Sequence, residues 1–313
     1  MSSPRSALRP SSSRIRVIDE GDAEACAALL AERHRQHRAA VPLLAEPGAE
    51  PPGAGLVALR DGQPVAYLAG EVRQNEFWGA HVWIDLQGHA ASDPEALRDL
   101  YAAAAPAWID AGARLHMVLV PAVPEVMDPW LRLGFGLMQA HGIRETRGTV
   151  TPPSAGITVR RGGREDLPQV VERHGSVLWR HQAASPVFSG LEPPPPEQVL
   201  ADWMETFDDP SDTLFLAEKD GELVAHSLLY RPSPELGMPA DAIKQAVVVV
   251  RPGMQGEGIG RALVEHSYAW AEEAGYRSVV TDWRVANLEA SRFWTARGFQ
   301  AAYFRMYRMT GIG

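Results

Sequence analysis

The chain has 313 residues, too many for one ordinary domain of roughly 100–200 residues and suited to two. A formal charge of −9 and a pI near 5.6 argue against a nucleic-acid surface and favour cationic partners. Cys26 is the single cysteine, which rules out an intrachain disulfide, and no apolar run reaches membrane-spanning length. With no hydrophobic leader at the N-terminus, the expectation is a cytoplasmic protein.

Residues 1–13 are rich in serine and proline with little to bury, so a disordered tail is expected there. A short strand is predicted at 15–18 and a helix at 22–40. His34 and His37 share one helical face among Arg33, Arg35 and Arg38, which reads as a solvated basic face rather than a metal site. No Cys/His spacing suggests zinc, and no metal is expected. A Pro/Gly loop at 42–55 leads into GLVALRDGQPVAYLAGEV, two strands joined by a tight turn at Asp61-Gly62. A strand at 81–86, a helix at 94–111 stopped by Gly112 and a strand at 115–120 follow. The half closes on DPWLRLGFGL.

The second half repeats the first. Ile157-Thr158-Val159 matches Ile15-Arg16-Val17, and FLAEKDGELVAHSLLY repeats the hairpin with its turn at Asp220-Gly221. Asp110-Ala111-Gly112 answers Glu273-Ala274-Gly275, while Trp130 and Leu133-Gly134-Phe135 answer Trp294 and Arg297-Gly298-Phe299. The period is too long for a solenoid and indicates a duplicated domain. The divisions expected are 14–147, a linker at 148–156, and 157–313.

The copies differ at one place. In the second, VVVVRPGMQGEGIGR at 247–261 runs from a β-branched strand through a proline break and a glycine turn into an amphipathic helix. Gly256, Gly258 and Gly260 allow a tight turn and close approach of backbone to an anion at a helix N-terminus, a seat for a pyrophosphate. A P-loop would continue with Lys-Ser or Lys-Thr, but Arg261-Ala262 stands here, and the glycine spacing is not that of a dinucleotide fingerprint. In the first copy the turn is replaced by DLQGHAASDPEAL. Asp93 and Glu95 there cap the helix start and would repel a pyrophosphate, so that copy is not expected to bind coenzyme A.

The second copy also carries an insertion at 174–213 with a four-proline run at 193–196. Its charged residues from 192 to 212 are all acidic: Glu192, Glu197, Asp202, Glu205, Asp208, Asp209 and Asp212. Aromatics stand at Trp179, Phe188, Trp203 and Phe207. Two readings stay open: a wall suited to a cationic amine, or an ordinary amphipathic helix with a solvated acidic face.

The segment from Val250 to Gly260 resembles the Val-x-Pro-x-x-Gln/Arg-Gly-x-Gly-x-Gly/Ala motif of the GNAT superfamily of N-acetyltransferases. Asn287, Ala290, Phe293, Trp294, Gly298 and Phe299 match that family's closing segment. The resemblance implies an α/β (α+β mixed) fold of tandem GNAT-like domains, each a twisted mixed sheet flanked by helices. It implies acetyl-CoA as co-substrate, held by Val248, Val249, Val250, Gln255, Gly256, Glu257, Gly258, Ile259, Gly260, Arg261, Asn287 and Trp294. The implied reaction is direct attack of a primary amine, a small and cationic molecule, on the thioester in a ternary complex, with no nucleic-acid or membrane partner.

By resemblance to the Glu-Val-Arg-x-x-Asn stretch of the branch that acetylates protein N-termini, DWRVAN makes Asp282 the candidate base, with Asp241 second and Arg284 its ion-pair partner. A splay of the central strand near Val248–Val250 would supply an oxyanion hole. Trp294 stands where many members have a tyrosine that protonates the departing thiolate. Indole cannot serve as that acid, which leaves solvent or Tyr303. The alternatives are an acetyl-CoA-binding sensor or scaffold without efficient turnover, and a mycothiol-synthase-like or protein N-terminal acetyltransferase.

Overall fold

Asp61 and Gly62 have φ of 51° and 81°, and Asp220 and Gly221 have 53° and 78°. Two successive left-handed residues make the hairpin turn whose twist matches its strands, and Asp-Gly is one of the few pairs that adopt it readily. The computed structural model describes residues 13–46, 50–76, 78–148, 153, 156–172, 195–206, 212–233 and 236–311. The tail expected at 1–13, apart from Ser13, lies outside the described residues, as do most of the 148–156 linker and much of the 174–213 insertion. Trp179, Phe188, Glu192, Phe207, Asp208 and Asp209 are among those left outside.

The chain forms two compact units, one of Met1–Ala40, Glu46–Gly136 and Arg305–Gly313, the other of Val41–Ala45 and Leu137–Phe304. The first contains β1 (Arg14–Val17), α1 (Ala23–Ala40), β2 (Leu56–Arg60), β3 (Gln63–Leu68), β4 (Glu71–Asn75), β5 (Gly79–Ile84), β6 (His89–Ala91), α2 (Pro94–Asp110), β7 (Leu115–Pro121) and α3 (Pro124–Arg132). Its strands run in the orders β1-β2-β3-β6 and β4-β5-β7, with β5 parallel to β7. Helix α1 lies on β3 and β6.

That packing corrects the expected solvated face on α1. Cys26, Leu30, Arg33, His34 and His37 point inward, and both histidines are fully buried. Arg33 donates to the carbonyl of His89. Burial presses the Arg33 guanidinium down to about 10 and the His89 imidazole down to about 3. Where the second copy has its glycine turn, Asp93 accepts from Glu95 N at 3.1 Å and caps α2. Gly88 is required there for close approach, since a Cβ would lie 2.7 Å from Ala69 O.

The second unit contains β8 (Gly136–Glu145), β9 (Ile157–Gly162), α4 (Leu167–Val170), α5 (Pro196–Thr206), β10 (Thr213–Lys219), β11 (Glu222–Tyr230), β12 (Ala242–Val250), α6 (Ile259–Glu273), β13 (Ser278–Arg284), α7 (Leu288–Thr295) and the start of β14 (Gln300–Met309). Its strand order is β14-β8-β13-β12-β11-β10-β9. The division expected at 147 does not follow the units. Residues 137–147 join the second because β8 pairs antiparallel with β13 from Gln139↔Arg284 to Glu145↔Ser278. Residues 305–313 join the first.

Helix α6 covers β9 to β12 with Ile259, Leu263, Val264, Tyr268 and Ala271, which form a core with Phe215, Val224, Leu229, Ile243, Val279 and Phe299. Burial of each larger aliphatic chain contributes about 1.5–3 kcal/mol. Helix α5 seats Leu200, Trp203 and Met204 by Leu167, Leu214 and Leu216 and buries Val199, while Glu197, Asp202 and Glu205 stay exposed. That is the amphipathic helix with a solvated acidic face.

The duplication extends to side-chain geometry. Trp130 meets Phe135 edge-on at 5.2 Å and 80°, and Trp294 meets Phe299 at 5.3 Å and 79°. Arg16 clamps Asp22 with two bonds of 2.6 and 2.7 Å, and Arg160 clamps Asp166 with 3.0 and 2.8 Å. No described helix is long and apolar enough to cross a membrane.

Candidate functional site

Strands β12 and β13 are parallel neighbours for three residues only, Ala242↔Ser278, Ile243↔Val279 and Lys244↔Val280. Past that point both strands continue, to Val250 and Arg284, without further pairing between them. The register with β11 slips at the same place, Leu228 facing Val247 and Leu229 facing Gln245, so Ala246 is an extra residue that bends the strand. Gln245 is buried, with its amide nitrogen 2.9 Å from Ser227 Oγ and 3.0 Å from the carbonyls of Leu228 and Val247. Across the opening, Thr281 Oγ1 donates to Gln245 O at 2.9 Å, a side chain standing where the backbone ladder has ended.

The open side of β12 presents backbone groups. Arg251 N donates to Val224 O at 2.8 Å, and antiparallel ladders alternate, so Val249 and Val247 also face β11. Val248 and Val250 therefore direct their N–H and C=O groups into the gap left by β13.

At the end of β12 the chain turns through Gly253, Gly256 and Gly258, with φ of 85°, 88° and 83°. A Cβ at Gly256 would meet nothing within 4 Å, so it is the left-handed backbone, not crowding, that selects glycine there. Gly258 is the N-cap of α6 and no side chain caps the helix, which leaves its first N–H groups available to an anion. Gly260 is different, since a Cβ would sit 3.3 Å from Val250 and 3.5 Å from Phe293. Gln255 Oε1 accepts from Gly253 N at 2.8 Å, and Lys219 pairs with Glu257 at 2.6 Å, offsetting the acidic charge beside the turn.

Where β12 and β13 part, a small pocket opens. Lys244, Val280, Thr281 and Asp282 line it together with His141 on β8 and Tyr303 on β14. Asp282 is held by two strands: Lys244 Nζ lies 3.0 Å from one oxygen, and Gln139 donates to the other. Burial works to lower the Lys244 pKa, but Asp282 and Tyr230 outweigh it and the net shift is upward. Asp282 stands directly opposite His141 in the β13–β8 register, and the His141 ring stacks on Tyr303 at 4.3 Å and 13°.

The structure thus brings Asp282 and Tyr303 to one pocket, and Gly256, Gly258, Gly260 and Val248–Val250 to one continuous path. Asn287 caps α7, its side-chain oxygen accepting from Ala290 N at 3.0 Å. Asp241 pairs with Arg277 at 3.5 Å in an exposed position at the closed end of β12, away from the opening, which removes it as a candidate base. Trp294 lies in the core between Phe293 and Phe299, 7 % exposed, in the same arrangement that Trp130 adopts in the unit without a glycine turn. Its place is explained by packing. The sequence reading missed Gln139, His141 and Lys244. They lie at 137–147, which pair with β13 and group with the second unit.

Residues 179–299 match the Acetyltransferase (GNAT) family. The chain carries a GNAT acetyltransferase domain. In the GNAT domain, the glycine turn and the parted strands lie within the matched span. An aminoglycoside N(6')-acetyltransferase type 1 of Stenotrophomonas maltophilia is 41% identical over 61 residues, 18% of this chain and 40% of that relative's length. Among solved structures, a GCN5-related N-acetyltransferase from Sphaerobacter thermophilus aligns over 96% of both chains with a TM-score of 0.61 and 17% identity. A tandem GNAT protein from the clavulanic acid biosynthesis pathway covers 96% of this chain and all (100%) of its own, with a TM-score of 0.52 and 14% identity. The fold is therefore that of tandem GNAT proteins. Among the described residues no group of three or more His, Cys, Asp and Glu could hold a metal.

Proposed function

We propose that the protein transfers an acetyl group from acetyl-CoA to a small primary amine, with the second unit as the catalytic domain and the first as a supporting copy that does not bind coenzyme A. The observation that carries this is the parting of β12 and β13 beyond Lys244 and Val280, aligned with a glycine turn into an uncapped helix. The residues fit acetyl-CoA: the α6 N-terminus receives the pyrophosphate, and the N–H groups of Val248 and Val250 receive the amide-rich arm and the thioester carbonyl. Bound there, acetyl-CoA supplies the thioester whose acyl carbon the amine attacks. The opening beside Lys244, Asp282 and Tyr303 is the side from which the amine approaches.

A cationic acceptor is supported by the −9 charge of the chain and by the aminoglycoside acetyltransferase match. The test is thiol release from acetyl-CoA with kanamycin, spermidine, L-lysine and a tripeptide with a free N-terminus. Release with kanamycin or spermidine above the other two supports a cationic acceptor. Release with the tripeptide alone favours the N-terminal acetyltransferase reading, and binding of acetyl-CoA without release favours a sensor.

A further inference from the structure

We propose that the buried amide of Gln245, with the Thr281 hydroxyl across the opening, holds β12 apart from β13 and so aims the Val248 and Val250 N–H groups at the thioester of acetyl-CoA. This rests on the acetyltransferase reading of the same opening. An extra residue in a strand disrupts its ladder, and a buried carbonyl that loses a donor there is costly. Ala246 is that residue in β12. Gln245, next to it, is 1% exposed, and its amide nitrogen lies 3.0 Å from the carbonyls of both Leu228 and Val247, one on each strand of the bulged pair. An amide nitrogen only donates and an amide oxygen only accepts, so the two carbonyls fix which way the group faces. A hydrocarbon of the same size would take that donor from both.

The amide is itself fixed from both sides. Its nitrogen lies 2.9 Å from Ser227 Oγ, which is 3.4 Å from Ser267 Oγ, and Ser267 Oγ donates to Leu263 O at 2.9 Å within α6. Both serines are fully buried, so this row of polar groups runs through the core from the bulge to the helix that begins at the glycine turn. Ile243, two residues before Gln245 and on the same strand face, packs in the apolar core under α6, and apolar packing alone gives no reason for an amide to follow it. On the other side, the Gln245 carbonyl accepts from Thr281 Oγ1 at 2.9 Å, one residue beyond the last paired residues, Lys244 and Val280. A link made through a side chain spans more than a backbone ladder bond, and it sets the width of the opening where pairing stops.

A bulge bends the strand that carries it, and this bend leaves Val248 and Val250 facing the opening instead of a neighbouring strand. Their N–H groups act on a carbonyl oxygen that gains negative charge as the amine attacks, and donors placed in advance do so without reorganising. Misplacement by about 1 Å at such a site costs about 100-fold in rate. Gln245 touches neither thioester nor amine. It is a positioning residue that acts through the backbone of β12.

The experiment is infrared difference spectroscopy of acetyl-CoA, isotope-labelled at its acetyl carbonyl, bound to wild type, Gln245→Leu, Thr281→Val and Val264→Ala. Val264 is fully buried in the core under α6 and outside this network, so its variant shows what lost stability alone does. The expected result is a carbonyl band moved to lower frequency by wild type and by Val264→Ala, and returned towards the free-ligand position by Gln245→Leu and Thr281→Val. With whichever of kanamycin, spermidine, L-lysine or the tripeptide is turned over, kcat is expected to fall about 100-fold in Gln245→Leu and less than about threefold in Val264→Ala. A folded Gln245→Leu with the wild-type band and rate overturns the inference and leaves the acetyltransferase reading intact. If Gln245→Leu does not fold, Thr281→Val decides, and a wild-type band there overturns the inference. Loss of the shift in Val264→Ala as well overturns it too, because stability alone would then set the band. Failure of wild type to bind acetyl-CoA overturns both the inference and the reading it rests on.

Discussion

Lys244 is the last residue of β12 in register with β13, opposite Val280, and its ammonium holds Asp282 at 3.0 Å. The ion pair therefore sits at the point where the two strands part, closing the foot of the opening. Removing either partner leaves the other charged in a half-buried place. Both side chains are about a quarter exposed, at 23% and 26%, so the pair contributes about 1 kcal/mol rather than the value of a fully buried one. Because the folded pKa of Lys244 is raised, this stability is fully present below the unfolded lysine value of about 10.4 and is lost as pH rises through the folded one. Denaturant unfolding of wild type and Lys244→Met is expected to differ at pH 7 and to converge at high pH. A difference that persists unchanged above the lysine range contradicts the pairing.

His89 and Asp22 add to the acid sensitivity of the first unit in different pH windows, His116, also held down by burial, acting in the same direction as His89. His89 is buried neutral and held down to about 3, so the unfolded chain takes up a proton that the folded one refuses as pH falls from about 6.5 to about 3. Stability drops through that window. Asp22 acts lower: its hydrogen bonds to Arg16 depress its pKa, so its contribution is present above about 3.9 and is lost as pH falls through the depressed value. His89→Gln is expected to reduce the slope of the unfolding free energy between about pH 6.5 and about pH 4 while leaving the loss below about pH 4. Equal pH dependence of the variant and wild type in the upper window contradicts this.

Trp294 packs in the core while Tyr303 lines the pocket, so the acid role is assigned to Tyr303 and not to Trp294. Trp294 is packed against Phe299 as Trp130 is against Phe135, so Trp294→Tyr is expected to cost about 1–3 kcal/mol of stability and to change kcat by less than about threefold. Tyr303→Phe keeps the ring stacked on His141 but removes the hydroxyl, and a loss of kcat of about 100-fold is expected with acetyl-CoA affinity retained. Melting curves and steady-state rates for the two variants check both statements. A tenfold or greater gain in kcat from Trp294→Tyr contradicts them.

The features legible in the sequence were those set by local chemistry. Asp61-Gly62 and Asp220-Gly221 announce their turns because few residue pairs adopt two left-handed conformations in succession. Gly256 and Gly258 announce their turn because each has a left-handed backbone that glycine adopts most readily, and the repeat makes each half a check on the other. What local chemistry could not reveal was pairing between distant segments. Gln139 and His141 lie more than 140 residues before Asp282 and Tyr303, and only the β8–β13 register brings them together. The same limit explains α1, where a run of Arg and His reads as solvent-facing until β3 and β6 cover Arg33, His34 and His37. The parting of β12 and β13 also had no signature beyond the motif, because it arises from an extra residue, Ala246, in a run of ordinary strand formers.

The most direct test is calorimetric titration of acetyl-CoA into the wild-type chain and into Gly258→Glu. The substitution puts a side chain on a backbone with φ of 83° and a negative charge at the N-terminus of α6, where the pyrophosphate would sit. Saturable binding to wild type at one site, lost in Gly258→Glu while the variant keeps the wild-type circular dichroism spectrum, is the result expected. Equal binding by both, or none by wild type, contradicts the assignment of the 253–260 turn as the acetyl-CoA seat.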